Sequence, residues 1–137
     1  MIKLDIIVPV YNEGENIEEM IRAFEHEIKT PFRTLIVFDF NEDNTLPVIE
    51  KLKHEINFPL LLIKNHGEGV HEAVVSGLKA STAPAVMVFP ADEAYNARII
   101  DGMYRKFQEG AHVVVASRLA KGGSIEGGAF LKTLIVR

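Results

Sequence analysis

Leu4-Asp5-Ile6-Ile7-Val8-Pro9-Val10-Tyr11-Asn12-Glu13-Gly14 opens the chain with a short apolar run that halts at a proline and gives way to a polar break. A near-continuous apolar run of this length reads as a strand buried on both faces. After the break, Ile17, Met20, Ile21, Phe24 and Ile28 recur at the spacing of one face of an amphipathic helix. Strand, polar loop and helix form a unit, and the rest of the chain repeats it. Residues 35–38, 60–63, 86–89 and 113–116 are further apolar runs. Between them, Val48, Ile49, Leu52 and Ile56 mark one helix, Val70, Ala73, Val74, Gly77 and Leu78 a second, and Ile99, Ile100, Met103 and Phe107 a third. Buried strands alternating with amphipathic helices predict a three-layer αβα domain around a mostly parallel sheet of five strands.

Beyond Ser117 the pattern weakens. Gly122, Gly123, Gly127 and Gly128 make a turn-rich stretch. The last apolar segment, residues 129–136, reaches Arg137 without a capping signal and reads as an element cut short. The expectation is one domain over residues 1–137, incomplete at its C-terminal end, with an open sheet edge that a second copy could cover.

Bulk properties narrow the function. The 137 residues carry a net charge of −4, 8% aromatic residues and no basic run, which argues against a nucleic-acid groove. There is no cysteine, so disulfides and thiolate metal sites are excluded, in keeping with a reducing compartment. No apolar run approaches the roughly 20 residues that cross a bilayer, and the N-terminus has no signal-peptide pattern.

In an open parallel sheet, ligands bind beyond the carboxyl ends of the strands. The residues there are Tyr11, Asn12 and Glu13 after the first strand, and Asp39, Asn41 and Asp43 after the second. Asn65, Gly67 and Gly69 follow the third, Asp92 and Glu93 the fourth, and Ser117 and Arg118 the fifth. Together they suit a ribose, a base edge, a cation and a phosphate.

These segments carry a family resemblance. Val8-Pro9-Val10-Tyr11-Asn12-Glu13 resembles the opening signature of family 2 glycosyltransferases, which share the GT-A fold, a Rossmann-like nucleotide-diphospho-sugar transferase architecture. Residues 37–45, Val-Phe-Asp-Phe-Asn-Glu-Asp-Asn-Thr, are similar to that family's V-D-D-G-S-x-D-G-T motif. Asn65-His66-Gly67-Glu68-Gly69 resembles its N-x-G-x-G turn, Phe89-Pro90-Ala91-Asp92 falls at its D-x-D, and Ala116-Ser117-Arg118 at its S-R segment. Within the family the likeness is to the polyprenyl (dolichyl) phosphate sugar transferases.

The resemblance implies an inverting sugar transfer from a nucleoside diphosphate sugar to an acceptor such as a polyprenyl phosphate, on the cytoplasmic side and at the membrane periphery in a longer protein. It implies that Pro9, Tyr11, Glu13, Val37, Asp39, Gly67, Gly69, Ala91, Asp92 and Arg118 line the nucleotide-sugar site. It also implies that Asp92, with Glu93 as a second candidate, holds Mg²⁺ or Mn²⁺ against the diphosphate. No catalytic residue is assigned, because the family's acceptor-binding cations and any general base come later than residue 137.

Each assignment has a plainer alternative. Pro9 can simply end a strand, Glu13 and Glu15 can decorate a helix N-terminus, and Asp43 is as good a helix cap as a ligand contact. Gly67 and Gly69 fit a tight connection equally well. His66 and His71 show no zinc spacing. Three positions depart from the family: Phe38 for the first paired acid, Pro90 for the first Asp of D-x-D, and Glu68 where a basic residue is common. They leave open a non-catalytic nucleotide-sugar-binding module. A sugar nucleotidyltransferase would need a glycine-rich loop after the first strand, and a receiver domain would need paired acids there and a lysine after the fifth. Neither pattern is present.

Overall fold

The computed structural model describes residues 1–123. β1 (Leu4–Val10) leads to α1 (Ile17–Glu27), β2 (Phe32–Phe38), α2 (Thr45–Leu52), β3 (Leu60–Lys64), α3 (Gly69–Ala80) and β4 (Ala85–Val88). A 3-10 helix (Ala94–Ile99) then runs into α4 (Ile100–Gln108). The four strands are parallel in the order β3-β2-β1-β4. The apolar segment 129–136 and the glycines Gly127 and Gly128 lie outside the described residues.

One face of the sheet carries the main core, where Ile6, Val8, Ile36 and Phe89 meet Ile17, Met20, Phe24, Ile49 and Ile100. Phe24 is its hub, packed edge-on against Phe32 and Phe89 at ring separations of 5.9 and 5.0 Å. The other face is thinner: α3 covers Ile7, Leu35 and Val37 with Ala73. The apolar stripe expected on α3 is only partly correct, because Val70 and Leu78 are exposed. The buried residues of α3 are Ala73, Ser76 and Gly77, small enough to bring the helix close to β1.

Gly77 is where that approach is tightest. A β-carbon there would lie 2.6 Å from Cγ2 and 2.9 Å from Cγ1 of the fully buried Ile7. Overpacking of this kind costs about 1–3 kcal/mol, against a helix-propensity gain of about 1 kcal/mol. Gly77→Ala is therefore expected to destabilise by up to about 2 kcal/mol in thermal or urea denaturation; a raised midpoint would show that α3 can lift off the sheet freely.

Three sequence expectations are corrected. β1 does not stop before Pro9 but continues to Val10, with Pro9 in register with Val37. The amides of Ala85 and Phe89 donate to the carbonyls of Lys3 and Ile7, so odd-numbered residues of β1 face β4. Pro9 is next in that series and lies past the last residue of β4, where an N–H is not required. β2 begins earlier, at Phe32, because the polar Arg33 and Thr34 that interrupt the apolar run are accommodated inside the ladder.

The fifth strand is not formed among the described residues. Residues 113–116 carry no ladder pairing, and Val113 and Val115 are 81% and 78% exposed. A cavity of about 400 Å³, lined by Val86, Val88, Pro90, Glu93, Val114 and Ala116 among others, separates the segment from β4. A parallel strand is normally covered on both faces. Here α3 packs on β1, β2 and β3, leaving Val86 and Val88 of β4 exposed. Among the described residues the sheet is therefore four-stranded, and the α/β class stands.

Candidate functional site

The loops that leave the carboxyl ends of β1, β2 and β3 are joined by two hydrogen-bond networks. The first links β1 to β2. The Asn12 amide donates to Asp43 Oδ2 (3.1 Å), the Glu13 amide to Thr45 Oγ1 (2.9 Å) and the Gly14 amide to Asn44 Oδ1 (2.8 Å). In return the Asn44 amide donates to Asn12 Oδ1 at 3.1 Å. Tyr11, 67% exposed, sets its ring edge-on to Phe40 at 5.4 Å.

The second network links β2 to β3. Asp39 Oδ1 accepts from Asn65 Nδ2 (2.7 Å) and Oδ2 from the Gly69 amide (2.9 Å). The Lys64 ammonium reaches the Asp39 carbonyl. Asn65, nearly buried, also accepts from the Gly67 amide (3.2 Å) and from the Ser76 hydroxyl (2.9 Å). Gly69 has φ +84 at the first position of α3. The Asp39 carboxylate thus caps this helix from a neighbouring strand, where the dipole favours a negative charge.

Tyr11 and Glu13, with Asp39, Gly67 and Gly69, are therefore brought to one edge of the sheet, but not all are free. The Glu13 carboxylate accepts from Asn16 Nδ2 (2.9 Å) at the start of α1, the plainer role foreseen for it. Pro9 sits within the β1–β2 ladder opposite Val37, and Val37 is buried beneath α3. Ala91 is buried in the main core, so its side chain supports the loop after β4. Asp92 beside it is exposed. Glu93 accepts from Asn96 Nδ2 (2.9 Å). Arg118 is exposed in the turn around 117–123, and among the described residues none of the hydrogen bonds joining the other loops reaches it.

Sequence reasoning missed Thr45, Asn44 and Ser76 as parts of these networks, and Phe40 as the partner of Tyr11. Asn44-Thr45 carried a weak signal, being the N-terminal residues of a helix directly after an Asp. Ser76 carried none, since a serine on a helix stripe reads as a tolerated small residue.

A divalent cation is the group that the D-x-D position implies. Asp92 is a hard oxygen donor of the right kind. Pro90 offers no side-chain ligand, Glu93 is engaged by Asn96, and among the described residues no group of three His, Asp or Glu converges. The residues present fit a cation that takes one carboxylate from the chain and its remaining ligands from a bound diphosphate and water, a common arrangement for Mg²⁺.

The family model described as Glycosyl transferase family 2 matches residues 5–131. The chain is 27% identical over 135 residues to a dolichol-phosphate mannosyltransferase of Pyrococcus furiosus, covering 97% of this chain and 38% of that protein. It is 33% identical over 123 residues to a bactoprenol glucosyl transferase of Shigella phage SfX, covering 85% of this chain and 39% of that protein. It thus spans about two-fifths of the length of these relatives. Among solved structures, Staphylococcus aureus TarS 1-349 in complex with UDP superposes with a TM-score of 0.52 at 26% identity, over 75% of this chain and 33% of that one. The complex of the same protein with UDP-GlcNAc gives the same score, identity and coverage of this chain. Among the described residues, no helix is long and apolar enough to cross a membrane. The order of motifs along the strand ends, the parallel sheet that aligns them and the match over nearly the whole chain place this protein in glycosyl transferase family 2.

Proposed function

We propose that this chain binds the nucleoside diphosphate sugar donor of an inverting glycosyltransferase whose acceptor is a polyprenyl phosphate. The carrying observation is the convergence of Tyr11, Glu13, Asp39 and Gly69 on one sheet edge, in loops locked together by hydrogen bonds. The names of the relatives, a dolichol-phosphate mannosyltransferase and a bactoprenol glucosyl transferase, supply the acceptor class.

In this reading the exposed ring of Tyr11 and the carboxylate of Asp39 take the base and ribose. Asp92 takes the diphosphate through Mg²⁺ or Mn²⁺, and Arg118 contacts a phosphate of donor or acceptor. A bound cation would offset the charge of the departing nucleoside diphosphate. A phosphate acceptor already carries an anionic oxygen and needs no protein base, which suits a site where Asp39, Asp43 and Glu93 are engaged in holding loops. Attack from the face opposite the leaving diphosphate inverts the anomeric carbon. The acceptor pocket belongs to later segments in this scheme, and the reaction is proposed at the cytoplasmic membrane surface.

Calorimetric titration with UDP and GDP, with and without Mn²⁺, tests the donor site. One nucleotide is expected to bind, more tightly with Mn²⁺, and Asp92→Asn is expected to remove most of the Mn²⁺ increment. Binding that ignores Mn²⁺ would favour the non-catalytic module that Pro90 raises. Failure of both nucleotides to bind would overturn the donor-site reading.

A further inference from the structure

We infer that Asp43 is a positioning residue for the donor pocket: its buried carboxylate fastens the loop after β1 to the loop after β2, and so sets Tyr11 and Glu13 for the nucleotide. The inference rests on the donor-site reading above and assigns a role to a residue that the sequence leaves evenly balanced with a helix cap.

A cap needs one oxygen. Asp43 Oδ1 accepts the Thr45 amide at 2.8 Å, the local bond expected at the start of α2. The second oxygen crosses to another strand's loop and accepts the Asn12 amide. The carboxylate is only 1% exposed, so it does not itself face a ligand. Its neighbours extend the same seam. Three consecutive amides, those of Asn12, Glu13 and Gly14, are received by the side chains of the consecutive residues Asp43, Asn44 and Thr45.

Asn12, at the centre of this seam, has φ 51, the one positive value at a non-glycine residue among those described. Asparagine tolerates this region better than most residues, but the conformation persists only where surrounding contacts over-determine it. Here Asp43 holds its amide and the Asn44 amide holds its side chain. The turn it makes directs Tyr11 onto Phe40 and leads into Glu13, whose carbonyl receives the first amides of α1. Without the seam the loop would have to be ordered on binding, which lowers affinity.

The test compares UDP and GDP titrations of the full chain with those of Asp43→Asn, Thr45→Val, Thr45→Ser and Asp5→Asn. In Asp43→Asn one carboxylate oxygen becomes an NH₂ group, so one of the two amides that Asp43 holds loses its acceptor. This variant is expected to bind the preferred nucleotide at least 10-fold more weakly. Thr45→Val loses the hydroxyl that receives the Glu13 amide and is expected to weaken binding several-fold, while Thr45→Ser recovers it. If Asp43→Asn does not fold, the Thr45 pair carries the test. Asp5 sits at the opposite end of the sheet, and Asp5→Asn is expected to lower the melting midpoint with the dissociation constant unmoved.

Wild-type affinity in both Asp43→Asn and Thr45→Val would overturn the inference. Losses of affinity that merely track losses of stability, Asp5→Asn included, would also overturn it. A wild-type chain that binds neither nucleotide overturns the donor-site reading first and this inference with it.

Discussion

Replacing Asp5 with alanine is expected to lower the unfolding free energy by about 3–5 kcal/mol, the range found when one partner of a buried ion pair is removed. Asp5 is fully buried on β1 and accepts five hydrogen bonds. Two come from the fork of Arg33 on β2, at 2.9 Å each, and the others from the Ser81 hydroxyl and the Thr82 and Ala83 amides. One carboxylate thus ties β1, β2 and the turn that enters β4. Its loss would leave a mostly buried guanidinium with the Thr82 hydroxyl as its remaining acceptor, and two amides without theirs. Urea denaturation measures the effect, and a loss below about 1 kcal/mol would show that water replaces the carboxylate without difficulty.

The same carboxylate makes stability depend on pH in a defined window. Burial alone would raise the Asp5 pKa, but Arg33, the two amides and Ser81 outweigh it and bring it from 3.8 down to about 2. A folded pKa below the unfolded value means a contribution fully present above about pH 4 that fades as pH falls toward 2. The difference corresponds to about 2 kcal/mol. Burial would raise the Asp101 pKa as well, but bonds from the Thr30 and Lys29 amides and the Thr30 hydroxyl outweigh it and hold the carboxyl below its usual range, so it adds to the same acid loss. The Asp5→Ala protein should show a visibly flatter stability profile between pH 4 and 2 than the wild type; parallel profiles would contradict the assignment.

The fold was legible where burial was symmetrical. β1 and β2 lie in the middle of the sheet, and their apolar runs reported that directly. Reading failed where polarity was satisfied out of sight of the local sequence. Arg33 looks like part of a loop until Asp5, 28 residues earlier, is seen to neutralise it. It failed again where an apolar run is left exposed, as at Val113 and Val115. The candidate site was legible in position, because strand ends of a parallel sheet face one edge. It was not legible in allegiance. Asp39, Asp43 and Asp92 are all acids after strands, yet the first two spend oxygens on backbone and Asn65, and among the described residues only Asp92 is exposed with no such bond. That division depends on which loop lies beside which, and strand order was not readable from local spacing.

Asp39→Ala is expected to weaken nucleotide binding about 100-fold, equivalent to about 2.8 kcal/mol, because two losses coincide. Asp39 holds Asn65 and the first amide of α3, so its removal loosens the turn that carries Gly67 and Gly69. It also removes the carboxylate assigned to the nucleotide, whose remaining lone pairs are still able to accept. Asn65→Ala separates the two. It breaks the bonds to Asp39, Gly67 and Ser76 while leaving the carboxylate and its bond from Gly69 in place. If Asp39 touches the nucleotide, Asp39→Ala should bind about 10-fold more weakly than Asn65→Ala, by roughly the value of one charge-assisted hydrogen bond. If the two variants bind alike, the carboxylate serves the donor only by shaping the turn, and the nucleotide contact passes to the amides beyond Gly69. Lys64 sharpens the comparison, since its ammonium is held by the Asp39 carbonyl rather than the carboxylate and remains in both variants. The difference between them therefore reports the Asp39 carboxylate, its bond from the Gly69 amide included.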